Sequence, residues 1–235
     1  DEVSFVRDTP GVVLTQPTNG ARFVVGTPIP LAATVTSNGV AVSGLQFCSG
    51  AVLLDQPATN TIIWTNDVPG AQVLTARALY DAGASVVTSA AVSVEILTLG
   101  QAWQEAEFPG HWSNAAVAGW AVDPDGDGQD NLTEYGFGTD PNAGNPWPLL
   151  ECRLDGAGNP PAPFFQYRRR LDPCDVVFTE EVSLDGWTWS TGVTAALAMM
   201  PDTNGVTGVI RTHAQDGIPA AGPRLFRLRW APKAN

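Results

Sequence analysis

The residues with the clearest chemical potential form one twelve-residue stretch, residues 123–134. Aspartates occupy its first, third and fifth places (Asp123, Asp125, Asp127), Gly128 stands sixth, and Glu134 ends it. A calcium ion takes about six to eight oxygen ligands, and a loop with this spacing supplies them from those side chains and from its seventh carbonyl. The glycine permits the sharp turn that brings the ligands together. The sequence therefore predicts a Ca²⁺ site.

The loop also holds the two remaining ligands of such a site. Gln129 is seventh and would offer its carbonyl, and Asn131 is ninth and would bind the ion directly or through a water. The predicted metal ligands are Asp123, Asp125, Asp127, Gln129, Asn131 and Glu134. Asp130 is eighth, where a paired EF-hand has an aliphatic residue, and the sequence has no second loop of this kind. This disfavours a calcium sensor, which opens a groove between paired hands.

The charge distribution agrees with a cation site in the middle of the chain. The 235 residues carry 12 basic and 24 acidic side chains, a net charge of −12. Residues 98–148 hold eight of the acids and no lysine or arginine, so this segment alone contributes −8. An acidic chain repels phosphate, so we expect no nucleic-acid partner. The sequence also has no stretch of 18 or more apolar residues, so we expect no transmembrane segment.

No catalytic signature accompanies the metal loop. The sequence contains no GxSxG, HExxH, Walker or GxGxxG motif. Glu180 and Glu181 are adjacent, and neighbouring residues of a strand point to opposite faces, so the two carboxylates cannot act on one substrate. Arginines 168–170 could bind an anionic glycan, but these two glutamates are the expected partners. We therefore expect a protein that is not an enzyme.

The loop must be positioned by β structure on both sides. Residues 11–97 read as short strands separated by turn signals such as Asn19-Gly20 and Pro69-Gly70, which predicts an antiparallel sandwich. In residues 72–81 both alternating sets contain apolar side chains, so either face of this strand could be the buried one. Residues 149–235 return to strand patterns and predict a second antiparallel β domain, whose last strand carries Phe226, Leu228 and Trp230 on one face. Such a strand should be paired.

Between the two β regions, residues 98–148 lose the strand alternation. We expect a short helix that ends at Pro109-Gly110, with Trp103 and Phe108 packed against a neighbouring domain. A carbohydrate platform is the alternative role for these aromatic residues. The predicted domains are 1–97, with residues 1–9 as an arm that could donate a strand, then a linker at 98–148, and 149–235. Calcium would stiffen the joint between the two β domains.

The cysteines and two further tryptophans leave alternatives open. Cys152 and Cys174 could form a disulfide or stay free, and Cys48 would then be a buried thiol or an intermolecular link. Trp187 and Trp189 fall on one face of a predicted strand. We expect them in the core, whereas a sugar-stacking platform is the alternative.

Three parts of the chain resemble known families. Residues 14–20, 45–47 and 74–81 resemble bacterial Ig-like domains of surface proteins, which implies a spacer or adhesive module. The loop, followed by residues 135–141, looks like the calcium loops of dockerins and thrombospondin type 3 repeats. Residues 103–108, the loop, the arginine-rich strand, residues 181–183, Trp187 and residues 226–228 together resemble the C-terminal region of large secreted bacterial surface proteins, which implies attachment or display. The expected fold class is all-β: an Ig-like sandwich, a short helical calcium-binding linker and a second antiparallel β domain.

These observations favour a non-catalytic, calcium-stabilised structural protein. The Lys-poor, acidic, strand-rich composition is typical of the cell exterior, so we expect an extracellular or cell-surface location. Its expected partners are copies of itself or other surface proteins, bound by strand addition of residues 2–7 and joined into a filament or layer. The alternative function is a carbohydrate-binding accessory module of a secreted polysaccharide-degrading enzyme, with a glycan as its ligand.

Overall fold

The chain contains two compact units that divide between Thr98 and Leu99. The structure is a computed structural model, and it describes residues 9–145, 150–155, 162–172, 174–191, 194–202, 206–214 and 225–233. The arm predicted at residues 2–7 lies outside the described residues. Among the helices that the structure describes, none has the length and apolar character needed to cross a membrane.

The first unit is an immunoglobulin-like β-sandwich. Its strands are β1 Gly11–Gln16, β2 Arg22–Val24, β3 Ile29–Thr36, β4 Val42–Ser49, β5 Val52–Asp55, β6 Thr61–Trp64, β7 Gly70–Tyr80, β8 Ser85–Thr88 and β9 Val92–Leu97. One sheet has the order β1-β3-β6, and the other has the order β2-β9-β7-β4-β5 with β8 also paired to β7. Strand pairing is antiparallel except between β2 and β9, which run parallel. The predicted sandwich is confirmed.

The core of the first unit lies between its two sheets. Leu31 and Ala33 of β3 face the larger sheet, and Leu74 and Ala76 of β7 face back toward them. The sequence left the buried face of β7 open, and the structure places Leu74, Ala76 and Ala78 inside with no exposed surface. Because strand side chains alternate, the other face of β7 lies outside the core. Cys48 is also fully buried, so its thiol is a core side chain.

In its described residues, the second unit contains two helices and two antiparallel sheets. Its elements are α1 Leu99–Glu107, α2 Asn131–Phe137, β10 Leu150–Asp155, β11 Ala162–Arg170, β12 Val176–Ser183, β13 Ser190–Thr191, β14 Thr194–Pro201, β15 Thr207–Ala214 and β16 Leu225–Pro232. The sheets have the orders β10-β11-β15-β14 and β13-β12-β16. The last strand, β16, pairs with β12 along its length, as its alternating pattern predicted.

Aromatic side chains form most of the core of the second unit. Phe165 and Tyr167 of β11 stack with ring centroids 6.0 Å apart, and Phe178 of β12 lies 5.7 Å from Tyr167. Phe137, at the end of α2, meets the rings of Phe178 and Trp230 edge-on. Such edge-to-face contacts add to the stabilisation from burial. Helix α2 is therefore part of this core.

The predicted linker belongs to the second unit. Trp103 of α1 lies 5.2 Å from the ring of Tyr135 on α2 and 5.9 Å from Trp120, and Phe108 packs edge-on against it. This cluster also contains Val176 of β12. The sequence predicted three parts, with residues 98–148 as a separate linker. The structure instead places residues 99–145 in the second unit, because the apolar faces of both helices pack against the second β region. Trp103 and Phe108 are buried, so they cannot form the carbohydrate platform considered above.

The cysteines of the second unit are unpaired. Cys152 is exposed on β10 and Cys174 is half-buried before β12, and both are free thiols. The disulfide considered between them is therefore absent from the structure.

Candidate metal centre

The loop from Asp123 to Gln129 is shaped by its own aspartates. The Asp123 carboxylate accepts hydrogen bonds from the backbone N–H groups of Gly126 and Gly128, both at 2.9 Å. The Asp125 carboxylate accepts from Asp127 N at 3.0 Å. Gly126 and Gly128 have φ angles of 78° and 93°, a left-handed conformation that glycine adopts without strain. These contacts turn the chain back on itself and bring the aspartates together.

The three aspartates form a compact carboxylate cluster. Ligand atoms of Asp123, Asp125 and Asp127 all lie within 4.8 Å of one another. Two carboxylates about 4.8 Å apart repel by about 1 kcal/mol in bulk water and by about 3.5 kcal/mol at an effective dielectric constant of about 20. A divalent cation would convert this repulsion into attraction.

Glu134 adds a buried carboxylate to the cluster. It lies in the first turn of α2 and has no exposed surface. Burial, followed by repulsion from Asp125, Asp127 and Asp123, raises the pKa of Glu134 from 4.5 to about 8. A buried carboxylate beside other acids is held ionised only when a cation compensates it. The twelfth position of the loop is thus coupled electrostatically to the first, third and fifth.

The strongest indication of a cation site is a set of buried oxygens without hydrogen-bond partners. Within the described part of the chain, four buried side-chain atoms lack a hydrogen-bond partner, and three of them are Asp125 Oδ2, Asn131 Oδ1 and Glu134 Oε2. Buried polar atoms are almost always hydrogen-bonded, so each unpartnered oxygen needs an explanation. All three belong to the set of ligands that the sequence predicts.

The other predicted ligands, Gln129 and Asn131, are also buried and are fixed by hydrogen bonds. Gln129 donates its backbone N–H to Asp127 Oδ1 at 2.8 Å. The Asn131 amide donates to the carbonyls of Val117 and Gly119 at 3.1 and 2.9 Å. The loop is therefore closed at its end by contacts to the turn that follows α1. All six predicted residues are brought into one segment of the second unit.

Asp130, the unusual eighth residue, caps the N-terminus of α2. Its carboxylate accepts from Thr133 N at 2.9 Å and from Thr133 Oγ1 at 2.6 Å. This satisfies a backbone donor that the first turn of a helix leaves free. The acid that departs from the paired EF-hand pattern thus has a local structural role.

Glycine is required where α2 ends. Gly138 has a φ of 73°, and its N–H donates to Glu134 O. A Cβ at this position would lie 2.3 Å from Thr207 Cγ2 of β15. The helix can therefore pack this closely on the sheet only with glycine at its C-terminal cap.

Asn145 is part of the site and was not predicted from the sequence. Its backbone N–H donates to Asp127 Oδ2 at 2.6 Å, and its Nδ2 donates to Glu134 Oε1 at 3.1 Å. The first of these bonds is the main reason that the pKa of Asp127 is lowered. The polar residues after α2, from Thr139 onward, were the only signal in the sequence.

The arginines of β11 do not pair with the glutamates of β12. Arg168 pairs with Asp202 at 2.8 Å, and Arg170 pairs with Asp172 at 2.5 Å. Arg169 lies over the ring of Phe178, with its guanidinium carbon 5.4 Å from the centroid. The expected pairing was wrong because β11 and β12 belong to different sheets, and Arg168 and Arg170 lie on the face of β11 opposite to Tyr167, the residue that contacts Glu180.

Glu180 and Glu181 do point in opposite directions. Glu180 faces the other sheet and accepts a hydrogen bond from Tyr167 Oη at 2.6 Å. Glu181 faces Arg227, its neighbour on β16, whose Nε lies 2.6 Å from Oε2. The two carboxylates therefore have separate structural partners.

The two tryptophans considered for sugar stacking have different surroundings. Trp187 follows a turn after β12 and is 88% exposed, so its expected place in the core was wrong. Trp189 is half-buried, and the guanidinium of Arg227 lies 4.1 Å from its ring centroid. Neither residue lies in a strand, because the chain between β12 and β13 forms a turn.

Comparison with known proteins agrees with the class that the first unit defines. That unit is an immunoglobulin-like sandwich, and residues 10–78 match the family model of the bacterial Ig domain. The match includes no residue of the second unit. No curated protein matches the chain.

Two solved structures are similar over part of the chain. The fibronectin(III)-like modules of Clostridium thermocellum CbhA are 31% identical over 37% of this chain and 94% of theirs, with a TM-score of 0.34. An engineered protein is 21% identical over 38% of this chain and 20% of its own, with a TM-score of 0.29. Both TM-scores are low, so the assignment of the first unit depends on its own sheets and on the family match.

Proposed function

We propose that this protein is a non-catalytic, calcium-stabilised structural module of the cell exterior, acting in surface display, adhesion or assembly into a filament or layer. The main support for a calcium site is that Asp125, Asn131 and Glu134 each have a buried oxygen without a hydrogen-bond partner. They lie in a loop whose carboxylates already approach one another within 4.8 Å. A cation would satisfy these oxygens and offset the repulsion.

The chemistry of the donor set favours calcium. All predicted ligands, Asp123, Asp125, Asp127, Gln129, Asn131 and Glu134, offer oxygen, which hard divalent cations prefer over sulfur or nitrogen. A loop with four carboxylates and two neutral oxygens offers the ligand number that calcium takes. Single extracellular sites bind with dissociation constants of about 10⁻⁴ to 10⁻³ M, which suits calcium-rich surroundings outside the cell.

The position of α2 supports a structural role for the ion. Glu134 is in the first turn of this helix, and Tyr135 and Phe137 of the same helix lie in the two core clusters of the second unit. Trp230 of β16 also donates from Nε1 to Thr133 Oγ1 at 3.1 Å. An ion that fixes the loop would therefore stabilise the core of the second unit, rather than a joint between two domains.

Calcium removal tests this proposal. In the presence of chelator we expect the thermal transition of the second unit to fall, whereas that of the first unit stays unchanged. At about 10 mM calcium and a dissociation constant near 10⁻⁴ M, the ion contributes about 2.7 kcal/mol, or roughly 10 °C for a domain of this size. Calorimetry with and without chelator measures the shift, and limited proteolysis within residues 120–140 reports the opened loop. Unchanged melting and cleavage in both conditions would contradict the calcium site.

Assembly with copies of itself or with other surface proteins is part of the same proposal. The Ig-like class of the first unit supports it, because modules of this class act as spacers or adhesive units without catalysis. Glu180 accepts a hydrogen bond from Tyr167, and Glu181 forms an ion pair with Arg227. These structural contacts of the two adjacent carboxylates support a role without catalysis.

One observation favours the second candidate function, carbohydrate binding. The Trp187 indole is exposed at the end of a rigid turn in which Asp185 accepts from Trp187 N at 2.8 Å and from Thr188 N at 2.7 Å. These bonds lower the pKa of Asp185 to about 2, so the turn keeps its shape across neutral and mildly acidic pH. A preorganised, exposed indole can stack on a sugar ring at low entropic cost.

Polysaccharide binding tests this candidate with two alanine variants. If the candidate is correct, pull-down on insoluble polysaccharides or binding on a glycan array is lost in Trp187→Ala and kept in Leu154→Ala, an exposed apolar side chain on β10. Both variants should melt like the wild type, since neither side chain is in the core. Binding that is absent from the wild type, or that survives in Trp187→Ala, would rule this function out.

A further inference from the structure

The segment that follows α2 returns to the metal loop and contacts two of its carboxylates. Asn145 lies 18 residues after Asp127 and 11 residues after Glu134 in the sequence. Its backbone N–H donates to Asp127 Oδ2 at 2.6 Å, and its side-chain Nδ2 donates to Glu134 Oε1 at 3.1 Å. One residue thus joins the carboxylates in the fifth and twelfth places of the loop.

The side chain of Asn145 is itself held in place. Its Nδ2 also donates to the carbonyl of Asp140 at 2.9 Å, and its Oδ1 accepts from Asp140 N at 3.4 Å. These two bonds fix the plane of the amide, so that one N–H remains for Glu134. The Glu134 carboxylate is therefore bound through Oε1, while Oε2 is buried and has no partner.

We propose that Asn145 is a positioning residue of the cation site, which fixes the rotation of the Glu134 carboxylate so that Oε2 is kept for the ion. The inference depends on the proposed calcium site. Without Asn145 the Glu134 carboxyl group would lose the hydrogen bond that fixes its rotation, and the ion would have to restore its orientation on binding. Residues that orient metal ligands in this way typically change metal affinity about ten- to hundredfold.

The same segment supplies a matched control. Asn142 donates from Nδ2 to the carbonyl of Glu107 at the end of α1, at 3.3 Å. Its backbone N–H donates to Asp140 Oδ1 at 2.9 Å. Asn142 thus ties the segment to the second unit without a hydrogen bond to any predicted ligand, and Asn142→Ala removes the same side-chain amide.

Calcium titration calorimetry on the full chain tests the proposal with wild type, Asn145→Ala and Asn142→Ala. We expect the dissociation constant of Asn145→Ala to rise about ten- to hundredfold, and that of Asn142→Ala to change less than about threefold. Melting in chelator should be similar for all three proteins, because the lost contact orients a ligand rather than filling a core.

A second measurement distinguishes orientation of Glu134 from general weakening of the segment. Terbium luminescence lifetimes in H₂O and D₂O count the waters on a bound lanthanide. We expect Asn145→Ala to gain about one water, since a rotated Glu134 leaves a ligand position to solvent, and Asn142→Ala to gain none.

The outcomes separate the two proposals. If the wild type binds neither calcium nor terbium, the proposed function fails and this inference fails with it. If the wild type binds and Asn145→Ala binds equally well with the same number of waters, the role of Asn145 is overturned while the calcium site stands. Equal weakening in both variants together with lower melting in chelator would also overturn it, because the segment would then only support the fold.

Discussion

The Glu134→Gln variant is expected to be more stable than the wild type without calcium and to lose its response to calcium. Burial, followed by repulsion from the loop aspartates, raises the pKa of Glu134 to about 8, so at neutral pH the metal-free folded protein must keep a proton that the unfolded chain releases. A neutral amide does not have this cost. In calcium the order reverses, because the variant lacks a charged ligand. We expect the dissociation constant to rise by roughly a hundredfold or more.

The raised pKa of Glu134 also predicts how the stability of the metal-free protein changes with pH. The pKa of Glu134 is raised to about 8 in the folded state, from an ordinary value of 4.5. Between these values the folded state keeps a proton that the unfolded chain releases. The contribution of Glu134 to the free energy of unfolding is therefore fully present below about pH 4.5 and is lost as the pH rises through about 8.

Urea unfolding in chelator between about pH 5 and 8.5 measures this effect. The free energy of unfolding of the second unit should fall with pH more steeply in the wild type than in Glu134→Gln. Glu95→Gln is the matched control, because it makes the same chemical change on β9 of the first unit. Equal slopes for wild type and Glu134→Gln would show that neither burial nor the aspartates raise the pKa of this carboxyl group in the folded protein.

The Phe137→Ala variant is expected to lose about 3 to 5 kcal/mol of stability in the second unit, which is the usual cost of removing a buried phenylalanine. Phe137 is almost completely buried at the end of α2. Its ring meets those of Trp230 and Phe178 edge-on, at centroid distances of 5.0 and 5.4 Å. Alanine would leave a cavity between the helix and the strands, and would remove the contacts that fix α2 to β12 and β16.

Denaturant unfolding of wild type and Phe137→Ala, followed in both units, measures this loss. Trp187→Ala is the matched control, since it removes a larger aromatic side chain that is 88% exposed and should change stability by less than about 0.5 kcal/mol. The transition of the first unit should stay unchanged in both variants. A loss below about 1 kcal/mol in Phe137→Ala would show that α2 is not part of the core of the second unit.

The strands of the first unit were predictable because each depends on a pattern within a few residues. Alternation of apolar and polar residues, ended by turns such as Asn19-Gly20, located the strands to within a few positions. The face of β7 that points inward was not predictable. Both faces carry apolar residues, and packing against the sheet of β1, β3 and β6 is what buries Leu74, Ala76 and Ala78.

Long-range pairing accounts for the wrong prediction about the arginines of β11. Arg168 and Arg170 were expected to pair with Glu180 and Glu181, which follow in the next strand along the chain. The topology places those strands in different sheets, so the arginines pair elsewhere. Sequence proximity cannot reveal which strands become neighbours, since strand order depends on contacts across the whole unit.

The sequence by itself determined the candidate metal loop. Its candidate ligands lie within twelve residues, so residue types and spacing were enough to name Asp123, Asp125, Asp127, Gln129, Asn131 and Glu134. Only the tertiary structure decided what surrounds that loop. The packing of the second unit buries Glu134, leaves Trp187 exposed and brings Asn145 to the carboxylates of Asp127 and Glu134. The physical reason is that local spacing fixes which groups a loop can offer, whereas burial and approach of distant residues exist only after the strands and helices have packed.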